Sequence, residues 1–147
     1  MKLDYMILAN YAEAPAGLGL VNMLGGGWDT INVTGPIEHV PPGLPPDIVA
    51  IVQGSLAARV LFHPTEVGKD RALRIVIVDE DGGEVGKIEG QFRADKQPGL
   101  PPGWQQGVNM VFGLTGIPLR RFGLYRISLL LDEQHLGDRE FRVLKLY

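Results

Sequence analysis

Alternation of apolar and polar residues is the feature that most constrains this chain. Between residues 85 and 93, Ile88 and Phe92 share one side with two glycines, while Lys87 and Glu89 lie on the other side. Only extended backbone sends successive side chains to opposite faces, so the pattern predicts a half-buried β-strand. The same pattern recurs in residues 108–114 and 125–131. The chain is therefore expected to be all-β.

About nine strands follow from this pattern and from the turn residues between them. They are residues 3–12, 18–24, 28–33, 48–62, 73–78, 85–93, 108–114, 125–131 and 140–146. The stretch 73–78 is apolar on both faces, which is typical of a central strand, and Phe141 and Val143 should face inward. A single domain spanning residues 1–147 is predicted, with little or no helix. Its expected fold is an antiparallel β-sandwich, immunoglobulin-like or of a related Greek-key type.

Residues 48–62 fit two patterns. Apolar residues recur with helical spacing from Ile48 to Val60, whereas Leu56, Ala58 and Phe62 also alternate with a period of two. Gly54 would weaken a helix but suits a bulge in a long strand. Strand is favoured because an isolated helix is uncommon among so many short strands.

The connections carry recognisable turn residues. Residues 79–83 contain Asp-Gly-Gly, a strong hairpin signal, and residues 131–138 are expected to form a longer hairpin loop. Two proline-rich loops, 41–46 and 98–102, precede the fourth and seventh strands. Tyr125 stands where sandwich folds place a tyrosine whose hydroxyl bonds nearby backbone.

Composition excludes several classes of function. The net charge is −3 and no basic patch is evident, so nucleic-acid binding is not expected. The chain has no cysteine, which rules out disulfides, zinc-thiolate sites and thiol nucleophiles. Asp4 and Asn10 interrupt the first apolar run, which argues against a signal peptide, and no stretch is long enough to span a membrane. A cytoplasmic location is the resulting expectation.

Several short motifs occur together in a fixed order. They are Ala9-Asn10-Tyr11-Ala12, Gly25-Gly26-Gly27-Trp28-Asp29, Asp81-Gly82, Gly123-Leu124-Tyr125 and Phe141-Arg142-Val143. In this respect the chain resembles a family of short bacterial proteins known only as a domain of unknown function. The Gly-Gly-Gly-Trp-Asp run is the most specific part of the resemblance, which spans nearly the whole chain. The resemblance implies a stand-alone bacterial β-domain and carries no activity.

The candidate ligand or interface residues are Gly25, Gly26, Gly27, Trp28, Asp29 and Trp104. The glycines could let backbone approach a ligand closely, but a hairpin turn or bulge with Trp28 packed over the core is the favoured interpretation. No Lys-Ser/Thr pair follows them, so they are not a nucleotide loop.

Acidic residues and histidines give no firm metal or catalytic site. Asp79, Asp81 and Glu84 crowd one turn but do not fit the calcium-binding loop of an EF-hand. His63 and His135, like His39, lie in or near predicted loops and lack the spacing of a local metal-binding pair. No catalytic residue, cofactor or metal is assigned.

Three functions remain open. The leading hypothesis is a non-enzymatic binding or assembly module that self-associates, with a dimer favoured, because the N-terminal strands are apolar on both faces. The second is a small-ligand binder with a pocket near Trp28 or Trp104. The third is a hydrolase-type enzyme that uses His63 or His135 with nearby carboxylates.

Overall fold

Eleven strands and one turn of 3-10 helix make up the described part of the computed structural model, residues 1–16 and 19–147. The strands are β1 (Lys2–Glu13), β2 (Asn22–Gly26), β3 (Thr30–Val33), β4 (Ala50–Ile51), β5 (Ser55–Phe62), β6 (Asp70–Asp79), β7 (Glu84–Arg93), β8 (Gln106–Gly113), β9 (Pro118–Leu119), β10 (Gly123–Leu131) and β11 (Gln134–Lys145). The 3-10 turn, Pro64–Glu66, follows β5. The all-β prediction is confirmed.

The strands form two main sheets that pack face to face. One sheet has four strands in the order β2-β1-β5-β8, and the other has five in the order β3-β11-β10-β6-β7. A third, two-stranded sheet pairs β4 with β9. All pairs are antiparallel except β3 with β11, which is parallel, so the five-stranded sheet is mixed. The edge strands are therefore β2 and β8 in the four-stranded sheet, and β3 and β7 in the five-stranded sheet.

One large apolar cluster fills the space between the sheets. The inward residues of β10 (Tyr125, Ile127, Leu129 and Leu131) are all buried, as the alternation predicted. Phe141 and Val143 face the same core, which confirms their predicted direction. Tyr125 also confirms its predicted role, because its hydroxyl donates to Arg121 O (2.6 Å) and accepts from Arg121 N (3.2 Å).

Residues 48–62 are strand, as favoured, but they form two strands in different sheets. β4 pairs with β9 and β5 pairs with β1 and β8, and Gly54 lies between them with a φ of 126°. The Gly54 N–H donates to Thr115 Oγ1 (3.0 Å) and its carbonyl accepts from Leu114 N (3.0 Å). Gly54 therefore marks a change of sheet rather than a bulge within one long strand.

The long loop predicted for residues 131–138 is wrong. β10 and β11 are joined by a two-residue turn in which Asp132 and Glu133 have φ values of 51° and 61°. Asp132 is held from outside the hairpin, since its carboxylate accepts from Ala72 N (2.8 Å) and from Arg71 Nη1 (2.9 Å). A tertiary contact thus supports a tight turn that usually contains Asn-Gly, and the local residues gave no signal of it.

Two other predicted boundaries shift. The strand predicted for residues 18–24 is observed as β2, from Asn22 to Gly26, and Leu18 lies outside the described residues. The strand predicted for residues 28–33 begins at Thr30, so Trp28 and Asp29 form the short connection between the two main sheets.

Candidate functional site

Gly25, Gly26 and Gly27 let the backbone at the end of β2 lie close to β1. Gly25 has a φ of 62°, and a Cβ there would overlap the Asn10 side chain on the neighbouring strand. Gly26 pairs with Ala9, and the Gly27 N–H donates to Leu8 O (2.7 Å). The run ends β2 against β1 without a register shift, and the next strand, β3, belongs to the other sheet, so the glycines form neither the predicted hairpin turn nor a bulge.

Trp28 packs over the core, as the favoured interpretation predicted. It is half-buried, and its ring meets Phe141 edge-on at a centroid distance of 5.9 Å. It borders a shallow cavity of about 210 Å³, together with Asn10, Ile31 and Gln53. Asp29 is exposed. Its carbonyl accepts a hydrogen bond from Arg142 N (2.8 Å), which holds the connection before β3 to β11.

Trp104 is far more open, with 62% of its surface exposed. It lines an apolar groove of about 290 Å³ with residues of the second proline-rich loop and of the segment after β5. The lining comprises Pro64, Val67, Lys96, Gln97, Leu100, Pro101, Pro102, Gly103, Trp104 and Gln106. The buried Gln106 side chain holds the loop, donating to Asp95 O (2.7 Å) and accepting from Gln97 N (3.0 Å).

The fold does not bring the two tryptophans together. Trp28 lies beside Gly54, where β5 begins, whereas the Trp104 groove includes Pro64, which follows the end of β5. The eight residues of β5 separate them by about 25 Å at roughly 3.3 Å per residue. They therefore cannot share one small-ligand pocket.

His63 and His135 are both engaged in local structure. The His63 side chain accepts from Thr65 N (3.3 Å) and caps the 3-10 turn. His135 Nε2 lies 2.7 Å from Asp138 Oδ1, but the Ser128 hydroxyl donates to the same oxygen at 2.5 Å. The serine hydroxyl thus bonds the carboxylate and not the imidazole, which differs from the hydroxyl–imidazole pair of a serine nucleophile and its histidine base.

Asp138 should make the free energy of unfolding depend on pH. Burial raises the pKa of this carboxyl, but the hydrogen bonds from Ser128 and His135 outweigh that effect and hold the pKa below its usual value. Because the pKa of this carboxyl is lower in the folded state than in the unfolded state, where it is about 3.9, the carboxylate stabilises the fold at pH values above about 3.9. This contribution is lost as the pH falls through the pKa of the folded state. Asp138→Asn should therefore flatten the loss of stability below about pH 4.

The measurement is urea unfolding of the two proteins from pH 7 to pH 2. At pH 7 we expect the variant to lose less than about 1 kcal/mol, because the pair is partly exposed and screened by solvent. Identical pH profiles for the two proteins would contradict a role for Asp138.

The acidic side chains of the turn at residues 79–83 stabilise their own hairpin. Asp79 Oδ1 accepts from Asp81 N (3.0 Å) and from Gly83 N (2.9 Å), and Arg121 pairs with Asp81. Among residues 1–16 and 19–147, no group of three or more His, Asp or Glu side chains is placed to hold a metal ion.

The two-sided apolar character of the N-terminal strands has an internal explanation. On the outer face of the four-stranded sheet, Ala9, Ala12 and Ala57 form a second buried cluster, and the partly buried Val21 packs against it. Gly19, in the connection between β1 and β2, lies beside this face, since its carbonyl accepts from Asn109 Nδ2 (3.0 Å). Ala9, Ala12 and, in part, Val21 are therefore covered by the chain itself, whereas Tyr11, Leu20 and Leu24 of the same region remain exposed.

The free edge of β8 was missed by sequence reasoning. β8 runs for eight residues, pairs only with β5 among the described strands, and contains neither a charged residue nor a proline. The other long edge strand, β7, carries Glu84, Lys87, Glu89 and Arg93, while β2 and β3 are only five and four residues long. Sheets usually protect edges by short length, charge or proline, and β8 has none of these devices. The available signal was the complete lack of charge between Lys96 and Arg120.

Comparison with known proteins places the chain in a family. Residues 4–144 match a family of unknown function (DUF6941), and since the match covers nearly the whole chain, the chain belongs to that family. The expected domain of unknown function is thus confirmed. No curated protein and no solved structure matches the chain. Within the described residues there is no helix with the length and apolarity needed to cross a membrane.

Proposed function

We propose that this member of the family is a non-enzymatic assembly module, which pairs with a second copy of itself through the free edge of β8. The observation that carries the proposal is the combination of length, lack of charge and lack of proline in this edge strand. An unprotected edge offers a row of backbone donors and acceptors to another strand. Two identical strands satisfy this need symmetrically when they pair antiparallel about a two-fold axis, the commonest symmetry of oligomers.

The chemistry of the polar side chains supports a role without catalysis. His63 is a cap, the Ser128 hydroxyl bonds a carboxylate, and Asp79 holds its own turn. These groups are engaged in supporting local structure. The proposal extends to the cytoplasm of a bacterial cell, where the lack of cysteine suits a reducing compartment. Fractionation of the source cells tests that location.

Light scattering after gel filtration tests self-association directly. The wild-type chain should elute with the mass of a dimer at micromolar concentration. Gly113→Lys places a charge on the β8 edge and should weaken the dimer tenfold or more, that is by about 1.4 kcal/mol or more. Gly113 suits this test because a Cβ there meets no atom within 4 Å and its φ is not positive.

Gly35→Lys is the matched control. Gly35 also has open space around a Cβ. It lies just after β3, and β3 is the edge of the five-stranded sheet opposite to β7. This variant should remain dimeric. The proposal would be rejected if the wild-type chain stayed monomeric even at 100 times the micromolar concentration of this test. It would also be rejected if the two variants dimerised equally well.

A small-ligand function is the second candidate, and the Trp104 groove favours it. An exposed indole beside Leu100, Pro101 and Pro102 offers an apolar surface with a few polar groups at its rim, the usual composition of small-molecule sites. Binding of a small apolar ligand should change the Trp104 fluorescence. Loss of that change in Trp104→Phe, with retention in Trp28→Phe, would place the ligand in the groove.

A further inference from the structure

We infer that β8 pairs with β8 of a second copy in one register, with Met110 on the two-fold axis. This inference rests on the proposed function and adds the residues that meet. In an antiparallel pair, residues directly opposite each other point to the same face, so a symmetric pair must place one residue opposite its own copy. With Met110 in that position, residues 107–113 of the two strands are all paired.

The core side of this register continues the apolar interior. Val108, Met110 and Phe112 all pack against the main core cluster. Met110 faces the partner's Met110, and Val108 faces the partner's Phe112, so that a smaller side chain meets a larger one at both ends. Cross-strand apolar pairs of this kind stabilise sheets. The two sandwiches would thus share one eight-stranded sheet.

The outer side of the sheet selects this register through Arg59. The Arg59 guanidinium lies over Gly107, where a Cβ would overlap it. With Met110 on the axis, Gly107 faces the partner's Gly113, around which there is open space. An axis at Asn109 would place the partner's Val111 there, and an axis at Val111 would pair only residues 109–113 of the two strands. Of these three registers, only the one centred on Met110 both pairs residues 107–113 and leaves the guanidinium a neighbour without a side chain.

Charge does not oppose this arrangement. The two Arg59 side chains would be separated by about six residues of strand, or roughly 20 Å. That distance exceeds the screening length of about 8 Å at physiological salt. Each Arg59 also lies 3.5 Å from Asp4 of its own chain. No charged residue of β8 itself faces another.

Disulfide crosslinking tests the register cleanly, because the chain has no native cysteine. Asn109→Cys and Val111→Cys are made separately, with tags of different mass, then mixed and oxidised. The mixed disulfide should exceed either homodimer disulfide at least tenfold, since residue 109 of one copy faces residue 111 of the other. Directly opposite positions in an antiparallel pair have the Cα spacing that a disulfide needs.

The other outcomes separate the register from the proposed function. Crosslinking of Asn109→Cys alone or of Val111→Cys alone, or a dimer with no crosslink, overturns the register and leaves self-association standing. A monomeric wild-type chain overturns both. As a second measurement, a spin label at Gln105→Cys, an exposed position, should give a distance of about 34 Å. Distances near 27 Å or 41 Å, the values for axes at Asn109 and Val111, would contradict the Met110 register.

Discussion

Gly54→Ala should destabilise the fold by more than about 3 kcal/mol, a large part of the roughly 5–15 kcal/mol by which native domains are stable. Two costs combine at this position. The φ of 126° lies in a region that essentially only glycine adopts, and an alanine Cβ would overlap the Ala9 carbonyl oxygen of β1. That oxygen is backbone in a central pair of the four-stranded sheet and cannot move without breaking the sheet.

Urea unfolding followed by circular dichroism measures this effect. Gly113→Ala is the matched control, since its backbone is not strained and its Cβ position is open. The control should change the free energy of unfolding by less than about 1 kcal/mol. A Gly54→Ala protein as stable as the control would show that β4 and β5 are not joined by this strained connection.

Phe141→Ala should cost about 3–5 kcal/mol, the range for deleting a buried phenylalanine ring. Phe141 is 1% exposed, and it stacks on Tyr125 at a centroid distance of 5.1 Å while also contacting Trp28. The variant removes the ring that supports Trp28, so the Trp28 emission should also shift to longer wavelength. The measurements are urea unfolding and fluorescence in a Trp104→Phe background, which isolates Trp28.

Leu124→Ala provides the comparison for Phe141→Ala. Leu124 precedes Tyr125 in β10 but is exposed on the outer face, so its removal should cost less than about 1 kcal/mol. An unchanged Trp28 spectrum in Phe141→Ala would mean that Trp28 depends on other contacts.

The parts of the fold that sequence predicted best are those where each residue's direction depends only on its neighbours in the chain. The inward row of β10 and the direction of Phe141 follow from alternation, and Tyr125 follows from its place at the start of a strand. The hairpin at 79–83 follows from Asp-Gly, because Gly82 supplies the positive φ that the turn requires. These signals are local and therefore readable.

The missed features depend on residues far apart in the chain. The tight turn at Asp132 is supported by Arg71 and Ala72, and Val21, which precedes β2, packs against the alanine cluster on the outer face. For the candidate sites, the packing of Trp28 over the core was predicted correctly, whereas the glycine run ends β2 and forms no hairpin turn or bulge. Their separation from Trp104 could not be predicted, because it depends on the direction of β5 between them.

Residue pattern alone determined the long strands such as β7, β8 and β10 and the faces they bury, because side-chain direction along extended backbone alternates whatever the strand pairs with. Only the tertiary structure decided which strands became edges, because strand order depends on pairings between distant residues. The free edge of β8 arises from that order: an uncharged strand in the middle of a sheet has its backbone groups paired, and it offers unpaired backbone groups only where no neighbouring strand lies beside it.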